Sequence, residues 1–205
     1  VKVVAADCDN TLWAGVVGED GRAGLRIEDG HIALQRRLVE QGELGRLVCL
    51  VSKNEERDVI DVLENRPEMA LKRDNVLALA VNWQPKPANI EKLAADFDFS
   101  TDSVLFLDDN PVECEAMRRQ CPSVLTVRSP EDHRRLGEFA EHLWLFDQPR
   151  VTDEDRQRVQ MYRDNVARLD LKRAAQDIEG FIAGLQLEID IAVAGTADVP
   201  RLAQL

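Results

Sequence analysis

The sequence predicts an α/β fold: a Rossmann-like parallel sheet with helices on both faces, followed by further helices and the start of a second α/β unit. Three observations predict it. Short apolar runs without polar alternation recur along residues 1–148, as strands buried on both faces require. Amphipathic stretches separate them, and strand–helix alternation of this kind implies parallel pairing. Finally, Asp7, Ser52 and Asp108 each end such a run, and sheets of this class bind ligands beyond the carboxyl ends of their strands.

The elements follow in order. Lys2–Ala6 reads as a first strand ending at Asp7. The Gly-rich stretch from Trp13 to Gly21 reads as a hairpin or flap. Asp29 is placed to cap a helix running to about Gly42, with Ile32, Leu34 and Leu38 on one face. Arg46–Ser52 is a second buried strand, and Asn54 is placed to cap the helix carrying Val59, Ile60 and Leu63. A third strand is expected over Val76–Val81, and Pro87 suits the first turn of the helix after it. Ser103–Asp108 is a fourth strand, Asn110-Pro111 opens a helix, and Ser123–Val127 is a fifth strand. Ser129-Pro130-Glu131-Asp132 has the form of a capping box. The character changes near Gln148. A charged amphipathic helix from Thr152, a helix over Ile178–Leu185 and an alternating strand over Leu187–Val193 are expected. This divides the chain into a catalytic domain at 1–148, a helical linker at 149–186, and a second unit beginning at 187–205.

Composition narrows the function classes. A net charge of −12 over 205 residues disfavours nucleic-acid and acidic-membrane partners, because phosphate repels such a surface. No apolar run approaches the roughly 20 residues of a membrane-spanning helix, and no signal peptide precedes the first strand. The four cysteines, Cys8, Cys49, Cys114 and Cys121, show no metal-ligand spacing, which suggests free thiols in a reducing, cytoplasmic setting. The chain opens on a strand without methionine and closes inside a helical pattern, so it is expected to be part of a larger polypeptide.

The chemistry concentrates in Asp7-Cys8-Asp9-Asn10-Thr11. Carboxylates two residues apart on a strand point the same way, and the turn beyond can aim both at one site. A carboxylate nucleophile has no proton to lose and can attack phosphorus at neutral pH. A second carboxylate can protonate the leaving oxygen and then activate water. A magnesium ion would offset the like charges and those of the phosphate. Ser52 can bond a phosphoryl oxygen, Lys86 can pair with the nucleophile and the phosphoryl group, and Asp108-Asp109-Asn110 can complete a metal shell. Each fragment alone also fits a bland role: a turn with solvated aspartates, a capping serine, a surface lysine, an N-cap cluster. The ordered set, each member at a strand end or helix start, is much harder to obtain by chance.

In that order the segments resemble the four motifs of the haloacid dehalogenase superfamily. The resemblance implies Asp7 as nucleophile and Asp9 as general acid/base. It implies Mg²⁺ held by Asp7, the Asp9 carbonyl and Asp109, with Asp108 close by. Thr11, Ser52 and Lys86 would hold the phosphoryl group. DCDNTLWAGVVGEDG, LVSKNEE, NWQPKPANI and FLDDNPVECE further resemble the FkbH-like branch. That branch implies glyceryl transfer in polyketide biosynthesis: an acyl group derived from 1,3-bisphosphoglycerate is dephosphorylated and loaded on the phosphopantetheine arm of an acyl carrier protein. Members continue into an acetyltransferase-like region, and this chain stops where that region begins.

Cys8, between the two aspartates, is a candidate acyl carrier, although strand alternation directs it away from them, as a small packing residue. The short segments after Trp13 and between Ser52 and Lys86 leave no room for a large lid. Arg118-Arg119 and Arg134-Arg135 are candidate docking patches or solvated helix faces. Trp13 and Trp83 flank the motifs and line the site or pack the flap, and His31, His133 and His142 show no ligand spacing. Two rival readings use the same residues: a plain phosphatase acting on a small phosphoester, and a non-catalytic docking module.

Overall fold

The computed structural model describes residues 1–147, 152, 157–162, 164 and 166. The linker and second unit expected at 149–186 and 187–205 lie almost wholly outside the described residues.

Five strands form one sheet: β1 (Val3–Ala6), β2 (Leu47–Ser52), β3 (Ala78–Val81), β4 (Val104–Asp108) and β5 (Leu125–Arg128). Their order is β3-β2-β1-β4-β5 and every pairing is parallel. The helices α1 (Val17–Gly24), α2 (Asp29–Glu43), α3 (Glu56–Asn65), α4 (Lys86–Phe97), α5 (Pro111–Gln120) and α6 (Leu136–His142) accompany them. The predicted fold class is the observed one. The central strands β1, β2 and β4 are buried throughout, which explains their unbroken apolar sequence. The edge strand β5 is partly exposed, with Leu125 at 43%.

Register sets the site. Ala6 lies opposite Leu50 on β2 and Leu107 on β4, so Asp7, Ser52 and Asp108 emerge along one edge. The strand order reverses direction between β1 and β4, and the crevice of such a sheet opens at that point. Asp7 and Asp108 stand on its two sides. Trp13, Phe106 and Phe146 are the largest of the fully buried side chains, and each such residue stabilises the fold by about 2–3 kcal/mol.

Besides the cap of α2, which is Glu28 and not Asp29, three local expectations are corrected. The Gly-rich stretch is helical at its centre. Val17 is buried, and Glu19 and Asp20 fall in the first turn of α1, where the helix dipole favours acids. The hairpin survives only as a bridge at its base, where Ala14 and Arg26 exchange backbone hydrogen bonds of 2.8 and 3.0 Å. Gly21, at φ 63°, kinks the helix, a conformation that glycine adopts without strain. Second, Asn54 does not cap α3, whose N-cap is Glu55; its amide is drawn into the site instead. Third, Ser129 forms no capping box. Asp132 caps the 3₁₀ turn His133–Arg135 by accepting from the Arg134 N–H, and α6 starts only at Leu136. Asn110 does cap α5, accepting from the Val112 N–H at 2.9 Å.

Candidate active site at the carboxyl edge of the sheet

Asp7 leaves β1 with 5% exposure. Its Oδ1 receives two donors: the Ser52 hydroxyl at 2.7 Å and the Lys86 ammonium at 2.8 Å. Its Oδ2 receives none of the hydrogen bonds formed among the described residues. Lys86 opens α4, 3% exposed, and also touches Asp108 Oδ2 at 2.7 Å. Asp108 Oδ1 accepts the Asn110 N–H at 2.8 Å. The lysine is thus buried between two carboxylates, and their charge raises its pKa despite burial, which pulls the other way.

Asp9 is half-buried and held from both sides. Oδ1 accepts the Trp13 indole N–H at 2.8 Å and the Val17 N–H at 3.1 Å. Oδ2 accepts the Asn54 amide at 2.9 Å, and the same Asn54 nitrogen lies 3.1 Å from the Ser52 hydroxyl oxygen. Burial raises the Asp9 pKa, and the bonds from Asn54, Trp13 and Val17 oppose that rise. Asn54 is the member that sequence reasoning assigns elsewhere; Trp13 is read there as lining the site or packing the flap. A polar residue two beyond a motif serine was visible, but helix capping explained it equally well.

Asp109 sits opposite Asp7, half-buried, with the Thr11 hydroxyl 3.4 Å from its Oδ1. Burial and the Asp7 charge raise its pKa; the same two causes, in the same order, raise that of Asp108. Carboxylate oxygens of Asp7, Asp108 and Asp109 all lie within 4.8 Å of one another. Lys86 cannot balance these acids and Asp9 together, so the edge calls for a further cation. A compact set of hard oxygen donors fits Mg²⁺. Asp108 is already committed to Lys86 and the Asn110 N–H, which leaves Asp109 and Asp7 Oδ2 as the more available ligands.

Cys8 lies under the site, its thiol beside Ser52. It is fully buried within the apolar core cluster that also contains Leu12 and Trp13. Burial first, and then the Asp7 charge, push its thiol well above the ordinary range, which favours the protonated packing residue over a thiolate. Cys49, Cys114 and Cys121 are also free and buried. Trp83 is 66% exposed beyond β3, its indole donating to Glu55 at 2.9 Å. The arginine pairs are largely occupied locally: Arg119 with Glu115, Arg134 with Asp132, and Arg118 with the Thr126 carbonyl. No described helix is long and apolar enough to cross a membrane. The fold also brings His31 and His133 together, with ring centroids 4.5 Å apart and Glu28 beside them.

A scan against protein-family models finds no match, and a search of curated proteins finds none either. Among solved structures, the N-terminal part of the protein BF1531 from Bacteroides fragilis, described as containing a phosphatase domain complexed with Mg, aligns at TM-score 0.68 and 32% identity. The alignment covers 72% of this chain and 41% of that one, so this chain spans less than half of that structure. The likeness shows the fold that this chain shares with that phosphatase domain. A HAD family enzyme from Bacteroides thetaiotaomicron aligns at 12% identity and TM-score 0.47, covering 64% of this chain and 95% of that one. A predicted HAD-like hydrolase from Porphyromonas gingivalis aligns at 11% and 0.49, covering 70% and 98%. In this chain the side chains of Asp7, Asp9, Ser52, Lys86, Asp108 and Asp109 are gathered at one sheet edge by the contacts described, with Thr11 against Asp109.

Proposed function

We propose that this chain is a Mg²⁺-dependent phosphatase of the haloacid dehalogenase type, and that it acts in loading a glyceryl group on an acyl carrier protein in polyketide biosynthesis. The observation that carries the phosphatase reading is the Asp7 carboxylate. Lys86 and Ser52 hold one oxygen and leave the other for attack on phosphorus. In the first step Asp7 Oδ2 bonds to phosphorus as the bond to the leaving oxygen breaks, and Asp9 supplies that oxygen's proton. In the second, Asp9 takes a proton from water as the water oxygen bonds to phosphorus and Asp7 is released. Lys86, Ser52 and Thr11 hold the phosphoryl oxygens. A divalent cation held by Asp7, the Asp9 carbonyl and Asp109, with Asp108 close by, would neutralise phosphoryl charge.

The glyceryl reading rests on the segment resemblance to the FkbH-like branch. A phosphoglyceryl donor derived from 1,3-bisphosphoglycerate carries an acyl phosphate and a phosphoester. A thiol attacks the acyl carbon with loss of phosphate, and Asp7 removes the phosphoester. Burial of Cys8 favours the carrier protein's phosphopantetheine thiol as the direct acceptor. The experiment combines the chain, Mg²⁺, a 1,3-bisphosphoglycerate source and a phosphopantetheinylated carrier, with both proteins weighed by intact mass spectrometry. A glyceryl-sized gain on the carrier, absent with Asp7→Asn, supports the coupled reading. A phosphoglyceryl gain with Asp7→Asn separates loading from phosphate removal. Free phosphate without acyl transfer leaves a plain phosphatase, and no turnover favours a docking role.

A further inference from the structure

Asp9 does not face the reaction with two equivalent oxygens. Each carboxylate oxygen offers about two acceptor positions. Oδ1 has both taken, by the Trp13 indole N–H and the Val17 N–H. Oδ2 has one taken, by the Asn54 amide. That same Asn54 nitrogen reaches the Ser52 hydroxyl oxygen, and Ser52 donates to Asp7 Oδ1. The chain Asp9–Asn54–Ser52–Asp7 therefore fixes the distance from acid to nucleophile through buried side chains. Trp13 is 0% exposed, Asn54 2% and Ser52 2%, so the donors are fixed by burial while Asp9 itself is half-buried.

We infer that Trp13 and Asn54 are positioning residues that reserve Asp9 Oδ2 as the one proton-moving atom and hold it beside the nucleophile. This rests on the phosphatase reading. In its terms, the Oδ2–H bond breaks as the leaving oxygen gains that proton and the P–O bond to it breaks. In the return step the water proton goes back to Oδ2. The two donors on Oδ1 stay in place through both steps, so the carboxyl group does not rotate between them. Trp13 acts through Asp9, and Asn54 acts through Asp9 and, by its second contact, Ser52.

The test is the dependence on leaving group. A leaving group that departs unaided needs no acid, and one that departs as an alkoxide does. kcat/KM reports the steps up to its departure, before the phosphoryl-aspartate is hydrolysed. It is measured with Mg²⁺ for 2,4-dinitrophenyl phosphate, phenyl phosphate and an alkyl phosphate, using the unmodified chain, Asn54→Ala and Trp13→Phe. Circular dichroism checks folding. The expected result is a loss of about tenfold or more on the alkyl phosphate and under about threefold on dinitrophenyl phosphate, with phenyl phosphate between. Equal losses on all three, or none, overturn the inference and leave the phosphatase reading standing. An inactive unmodified chain overturns both. If the fully buried Trp13 site does not tolerate phenylalanine, Asn54→Ala alone decides.

Discussion

Two regions of this domain bury titratable groups, and they do so in opposite ways. At the carboxyl ends of β1 and β4, Lys86 contacts Asp7 at 2.8 Å and Asp108 at 2.7 Å, each of the three under 6% exposed. At the start of α2, His31 is 0% exposed; its Nδ1 accepts the Glu28 N–H at 3.1 Å, and its Nε2 has no hydrogen-bond partner among the described residues. Charge is kept in the first region because opposite charges compensate one another at short range. In the second, Glu28 stands within 4.8 Å, yet burial together with His133 and Arg26 pushes the imidazole pKa down to about 4. The ring stays neutral through ordinary pH. The difference teaches that burial alone does not mark an active site. What marks it is a retained, mutually compensated charge next to carboxylates in excess.

The sharpest way to break that comparison is to remove the proposed nucleophile. Asp7→Asn is expected to lower Mg²⁺-dependent aryl phosphate hydrolysis by about 10³-fold or more, read as released phosphate, while circular dichroism stays that of the unmodified chain. Lys86→Met strips the compensation and leaves two carboxylates buried. Loss of one partner in such a site costs about 3–5 kcal/mol, measurable as a lower urea midpoint, and hydrolysis should fall as well. A surface lysine would show neither effect.

The histidine region gives the complementary test. The folded pKa of His31 lies below the ordinary 6.5, so the unfolded chain binds the proton more readily. The stability it contributes is complete above about pH 6.5 and is lost as pH falls toward 4, a span worth about 3 kcal/mol. Urea melts between pH 4 and 7 should show this slope, and His31→Gln should flatten it. An unchanged slope would mean that His31 is not the group responsible. The smallest effect concerns how the region is assembled. A Cβ on Gly30 would stand 2.1 Å from the His133 carbonyl oxygen, so Gly30→Ala must push the 3₁₀ turn away from α2. Overpacking of this kind costs about 1–3 kcal/mol, read as a lower melting temperature with little change in hydrolysis.

Much of the site was legible because strand ends are legible. Asp7, Ser52 and Asp108 close apolar runs, and parallel pairing aligns those ends whatever the side chains are. Asp9, Thr11 and Asp109 follow from adjacency in the chain. Asn54 was not legible as a site residue, and Trp13 only as one that lines the site or packs the flap. Asn54 precedes a helix, where a capping amide is ordinary, and the direction of its side chain depends on Asp9 lying within reach across the turn. The α1 segment was misread for a related reason. Its glycines argue against a helix, and tertiary burial of Val17 outweighs them.

The sequence by itself determined the α/β class, the order of its elements and which residue types stand at the carboxyl edge, because periodicity and strand ends are local properties of the chain. Only the tertiary structure decided that Lys86 lies between Asp7 and Asp108, that Asn54 and Trp13 hold Asp9, and that His31 meets His133. Those contacts join residues far apart in sequence, and which donor reaches which oxygen is set by how the helices pack on the sheet.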